Sequence, residues 1–266
     1  MKHSKKIYVP DPISPYQLPA VVNERLLSLA LQSDLLLIGE MHGTQEVPRL
    51  MLGLLPQLAA FGYGGLALEI PTDECDQLLQ CTQGQAMLPP FFGPSDFHDG
   101  RENEQALSLI QQAVSGGWHL LCFDVVSVNE GDSWSVRDSR MAKNLLEQWE
   151  LRCPEKKVLG VCGNYHSRLT PPTEPSDFWP SFAYTIQQLR PNLALSSVNV
   201  VFQRGAFFNG EIRQFDSGSD LLMAQAEIRP ASGMGHTLDL YLPVATPVTF
   251  VEDTNNTNVH RNNADD

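Results

Sequence analysis

The sequence predicts an α/β fold: a mostly parallel sheet flanked by helices, with its site at the carboxyl ends of the strands. Three observations lead there. Short apolar runs of strand length recur at Leu35–Ile38, Leu66–Ile70, Trp118–Asp124 and Lys157–Cys162. Segments with apolar residues at helical spacing separate them, and glycine or proline marks the joins. Strand–helix alternation of this kind implies parallel strands covered on both faces. Such sheets gather function in the crevice beyond the carboxyl ends of the strands.

Taken in order, residues 1–20 hold four prolines and read as an extended arm. The first strand, Leu35-Leu36-Leu37-Ile38, ends at Gly39. Residues 45–60 place Val47, Leu50, Met51, Leu54, Leu55 and Leu58 on one helical face. Gly64-Gly65 precedes the second strand, Leu66-Ala67-Leu68-Glu69-Ile70. Thr72 caps a short helix, and residues 84–100, rich in Gly, Pro and Phe, form a loop. Residues 102–115 form an amphipathic helix stopped by Gly116-Gly117, and the third strand runs from Trp118 to Asp124. A polar loop, 125–135, leads to Ser135, the expected cap of a helix from Val136 to Arg152. The fourth strand, Lys157–Cys162, opens into Gly163-Asn164-Tyr165-His166. After a Pro-rich stretch at 171–180, strands are expected at 182–188, 197–203 and 238–243. Residues 21–252 thus read as a single α/β domain and 253–266, DTNNTNVHRNNADD, as a disordered tail.

Composition narrows the function. Eighteen Lys and Arg against 31 Asp and Glu leave a charge of −13. That argues against a nucleic-acid binder, which would need a basic face, and against docking on anionic membrane. Cys75, Cys81, Cys122, Cys153 and Cys162 form no C-x-x-C pair, which suits reduced thiols in a cytoplasm. The basic N-terminus has no apolar stretch behind it, so it is no secretory signal, and no run is long enough to cross a membrane. The expected compartment is the cytoplasm, and the expected partner a small-molecule or peptide substrate.

Four strand ends carry chemistry-bearing residues. The first continues as Gly39-Glu40-Met41-His42-Gly43, with Glu46 four residues beyond His42. The second carries Glu69 inside an apolar run, where a carboxylate must be paired, metal-bound or at the mouth of a site. The third ends in Asp124 and the fourth in Gly163-x-x-His166, repeating the first pattern. Carboxyl ends of parallel strands share one edge, so these residues converge. Two imidazoles with carboxylates are the inventory of a divalent metal site or of a water-activating hydrolase. Arg137, in the first turn of its helix, opposes the helix dipole and so answers to a site carboxylate or an anionic substrate group. No G-x-S-x-G, G-x-x-x-x-G-K-[ST] or G-x-G-x-x-G occurs, so serine hydrolase and nucleotide motifs lack support. Cys162 is better read as a buried strand residue than as a nucleophile. Haem would need an axial ligand such as Tyr165 or His98.

In these residues the chain resembles the superfamily joining erythromycin esterase-like proteins, ChaN-like haem-binding proteins and the Tiki/TraB proteins. Gly39-Glu40-Met41-His42-Gly43 with Glu46, Glu69 in LALEI, the helix opening RDSRMAKNL, and Gly163-Asn164-Tyr165-His166 carry the resemblance. The esterase branch implies His42 as general base for a water, helped by glutamates. The Tiki branch implies a divalent metal held by His42, His166 and Glu69. The ChaN branch implies haem instead. The resemblance carries over His42, Glu46, Glu69, Arg137 and His166 as site candidates, with Glu40 and Asp124 behind them.

Overall fold

In the computed structural model, residues 10–89, 92, 99–127, 131–218, 222–233 and 235–250 are described. Strand β1 (Leu35–Glu40) is buried on both faces, as its unbroken apolar run demands. Leu36 and Ile38 join one hydrophobic core, and Leu35 and Leu37 the other. This period of two is that of any strand, applied between two helical layers. Strands β2 (Tyr63–Pro71), β3 (His119–Asp124) and β4 (Lys157–Gly163) are parallel to it. The later strands are β5 (Leu195–Asn209), β6 (Glu211–Asp216), β7 (Glu227–Pro230) and β8 (Leu238–Ala245). The order is β3-β2-β4-β1-β5-β8-β7, with β6 paired to β5. Only the β5–β6 and β7–β8 pairs are antiparallel. The mostly parallel α/β fold is therefore the one present.

Helices α1 (Ala20–Leu31), α2 (Glu46–Ala59), α3 (Cys75–Thr82) and α4 (Glu104–Ser115) cover one face. Helices α5 (Trp134–Arg152) and α6 (Phe182–Leu189) cover the other. Close approach has a local signature. A Cβ on Gly160 of β4 would stand 2.8 Å from Leu37 Cδ2, so a side chain there would push β1's packing aside.

Several expectations need correction. Residues 182–188 are helix α6, not a strand. Ser181 accepts the Tyr184 N–H as its N-cap, and Phe182, Ala183 and Ile186 form a buried helical stripe. Phe182 stacks on Phe123 of β3 with centroids 4.7 Å apart. Thr72 does not cap α3; Thr72–Glu74 is a turn of 3-10 helix leading into it. Helix α5 begins at Trp134, with Ser133 rather than Ser135 at its N-cap. The arm at 10–19 is without regular structure but packs on the core through Ile13, Tyr16 and Leu18. The expected tail at 253–266 lies outside the described residues. No described helix is long and apolar enough to cross a membrane.

Candidate functional site

Register places the strand ends together. Glu40 of β1 lies opposite Gly163 of β4, and Pro71 of β2 opposite Asp124 of β3. The β2–β3 pairing slips between Leu68 and Pro71, and Glu69 sits in that irregularity. Such a slip turns a side chain out of strict alternation. Glu69 is thereby aimed along the sheet edge while remaining buried.

Glu69 is the hub. Its Oε1 accepts from Arg137 Nη2 and from Arg101 Nη1, both at 2.7 Å. Its Oε2 accepts the Gly163 backbone N–H at 2.8 Å. Burial alone would raise its pKa. Arg101, His166, His42 and Arg137 together hold the carboxyl well below the ordinary range. Arg137 also grips Asp124 in a fork, Nε to Oδ1 at 3.0 Å and Nη2 to Oδ2 at 2.7 Å. This bidentate geometry is the strong form of the carboxylate–guanidinium pair. Arg101 Nη1 reaches Asp124 Oδ2 at 3.1 Å, and its Nε reaches Asp99.

Both histidines flank Gly163. A Cβ on that glycine would stand 2.8 Å from His42 Nε2 and 3.2 Å from His166 Cδ2. His42 Nδ1 bonds Glu40 Oε1 at 2.9 Å, and its Nε2 faces Glu69 Oε2 at 3.7 Å. Burial works against charge on this ring. The Glu40 hydrogen bond, then the charges of Glu69, Glu40 and Asp99, outweigh burial and raise His42 to about 9. His166 Nδ1 lies 2.6 Å from Asp138 Oδ1. Its Nε2 meets Arg137 Nη1 at 3.2 Å and lies 3.6 Å from Glu69 Oε1. Burial pushes the Asp138 carboxyl up against the opposing pull of His166.

Six of the seven sequence candidates therefore stand in one network: His42, Glu40, Glu69, Asp124, Arg137 and His166. Glu46 does not join them by any hydrogen bond or ion pair among the described residues. Its carboxylate accepts the Thr246 N–H at 3.0 Å and braces the start of α2. Arg101 and Asp138 were missed. Asp138 adjoins Arg137 in the sequence, but consecutive helical residues point about 100° apart, so spacing gives no reason to place both in one cluster. Arg101 follows a loop with no periodic signal, and only its place just before α4 hinted at it. Cys162 is fully buried, and burial pushes its thiol well above the ordinary value, as expected of a strand cysteine.

The donor set does not suit the metal that the Tiki resemblance implied. Both oxygens of Glu69 are taken by two guanidiniums and an amide, and Arg137 also occupies His166 Nε2. Cations already sit where a divalent ion would need lone pairs. No cluster of three His, Cys, Asp or Glu suited to a metal occurs among the described residues. For haem, the described axial candidate is Tyr165. Phe178 and Arg168 lie against its ring, at 5.1 Å and 4.4 Å from the centroid. His98 lies outside the described residues.

No family model matches the chain, and no curated protein matches it significantly. Solved structures do. A succinoglycan biosynthesis protein aligns with a TM-score of 0.64 at 9% identity, over 90% of this chain and 95% of that one. A Bacillus cereus protein aligns at 0.58 with 10% identity, over 91% and 97%. ChaN of Campylobacter jejuni, described with cofacial haem, aligns at 0.45 with 14% identity, over 82% and 90%. At these identities the first two likenesses establish a common fold, and the chain takes its place among proteins built on this parallel sheet.

Proposed function

We propose that the chain is a hydrolase of ester or amide bonds in which His42 moves the proton of the attacking water. The observation that carries this is the Glu40–His42 pair. Glu40 holds Nδ1 at 2.9 Å and so fixes the ring. The ring is one-fifth exposed, more open than His166, and its Nε2 faces Glu69 Oε2 at 3.7 Å. An imidazole with one nitrogen fixed by a carboxylate and the other facing a second, buried carboxylate across 3.7 Å is arranged to take and hold a proton. Arg101, one-fifth exposed and locked by Glu69 and Asp99, is the cation best placed to meet a developing oxyanion. Arg137 is more deeply buried and is held by Glu69 and Asp124, so its part is to position Glu69 rather than to meet substrate.

A base must start neutral. With a pKa of about 9, His42 is mostly imidazolium at neutral pH. Roughly 3% is neutral at pH 7.5, and that fraction is a stronger base than an ordinary imidazole. The rate constant kcat/KM should therefore climb with pH until about 9 rather than level off near 6.5. The experiment is a pH profile on small esters such as 4-nitrophenyl acetate, for the parent chain and for His42→Ala. We expect the alkaline limb in the parent and a loss of at least about 10²-fold in the variant. A His42→Ala protein that keeps its rate would overturn the reading.

A further inference from the structure

Beside the network lies a row of aromatic rings to which the chemistry above gives no part. Trp134 stacks on Phe178 with centroids 5.2 Å apart and planes 16° from parallel. Tyr165 leans on Phe178 at 5.1 Å. The row abuts the network at two places. Phe178 meets the His166 ring edge-on at 5.8 Å, and the Arg137 guanidinium lies 5.7 Å from the Trp134 centroid. Three elements supply it: the start of α5, the turn after β4, and the Pro-rich 171–180 segment. That segment is pinned to α5 by the Ser135 N–H donating to Asp177 O at 3.0 Å.

Trp134 is 48% exposed and Tyr165 47%. Two large aromatic side chains, each half in water, form one continuous surface next to buried ionic groups. Apolar surface gathered at the rim of a polar site is how small-molecule sites combine affinity with orientation. Stacking within the row and the nearby guanidiniums engage its ring faces, so the row offers mainly edges. Ring edges carry the positive end of the aromatic quadrupole and seek the face of another π-system. Charge selects further. The network and the shelf together hold Glu40, Glu69, Asp99, Asp124 and Asp138 against Arg101, Arg137, Arg168 and His42, five against four and so one negative charge in excess, and an anionic ligand is disfavoured.

We propose that Trp134, Phe178 and Tyr165 form a binding shelf for an uncharged, flat aromatic group of the substrate, laid face-on against their ring edges. This rests on the hydrolase reading for the word substrate, though the shelf itself does not. Calorimetry with 2-naphthol, and with 2-naphthoate as its anionic counterpart, tests the shelf directly. The parent chain should bind 2-naphthol and should bind 2-naphthoate at least tenfold more weakly. Trp134→Ala and Tyr165→Ala should each weaken 2-naphthol about tenfold, and Trp134→Leu, which keeps apolar bulk without a ring, should do the same. Both positions are half-exposed, so truncation spares the core. In kinetics, each variant should raise KM for 2-naphthyl acetate about tenfold more than for ethyl acetate. No binding of 2-naphthol, equal binding of 2-naphthoate, or variants that bind like the parent would overturn the shelf. A parent that binds 2-naphthol through these residues yet cleaves neither ester leaves the shelf standing and removes the hydrolase.

Discussion

At the scale of single residues, the site is a balance of buried charges, and each removal has a readable direction. Replacing Glu40 with Gln keeps an acceptor but takes away the negative charge that helps raise His42, so the alkaline limb of kcat/KM should slide from about 9 toward 6.5. A limb that stays at 9 would show that Glu40 does not set it. Replacing Arg137 with Met leaves Asp124 buried without its forked partner and Glu69 without one of its two guanidiniums. Breaking one side of a buried ion pair costs about 3–5 kcal/mol, so urea midpoints should fall steeply. Arg101→Met should fall less, because its guanidinium is more open to water.

At the scale of elements, much was legible because strands and glycines announce themselves. Leu35–Ile38, Leu66–Ile70 and Lys157–Cys162 lie within their observed strands, and both Gly-x-x-His turns follow parallel neighbours. What the sequence withheld has physical causes. Helix α6 is short and aromatic, so its composition suggested a strand, and only the Ser181 cap separates the two. Helix α1 starts without a side-chain cap, so nothing marked its beginning. Arg101 reaches the site through tertiary geometry that no spacing encodes. Glu46 shared the spacing of the first motif, yet its position in α2 turns it toward Thr246. A test belongs at this scale too. A methyl on Gly163 would enter the space of both histidines. Gly163→Ala should therefore lower kcat by about 10²-fold or more while leaving the thermal midpoint within a few degrees. A large fall in midpoint instead would mean that the glycine serves β4 rather than the rings.

At the scale of the whole molecule, the network links function to pH-dependent stability. His42 is raised when folded, so its stabilising contribution is complete below its unfolded value of about 6.5 and drains away as pH climbs through about 9. The ceiling on that loss is about 3 kcal/mol. Glu69 is depressed when folded, so its contribution is present above the unfolded carboxyl value and is lost as pH falls toward its folded one. Denaturation midpoints should thus be highest between about pH 5 and 6.5 and decline on both sides. In His42→Ala the alkaline decline between pH 7 and 10 should shrink, and an unchanged slope there would refute the assignment.

The order of the sheet has a bearing on how the molecule is born. Strand β4 lies between β1 and β2, yet it is the last of the three to leave the ribosome. Until it emerges, β1 and β2 have no shared neighbour. His42 then lacks the glycine it rests on, and Glu69 lacks the amide that donates to it. A nascent chain halted before β4 exposes two apolar edges and a half-built charge network, the kind of surface that chaperones patrol. The interval in which β4 is synthesised is thus the vulnerable moment in the life of this protein.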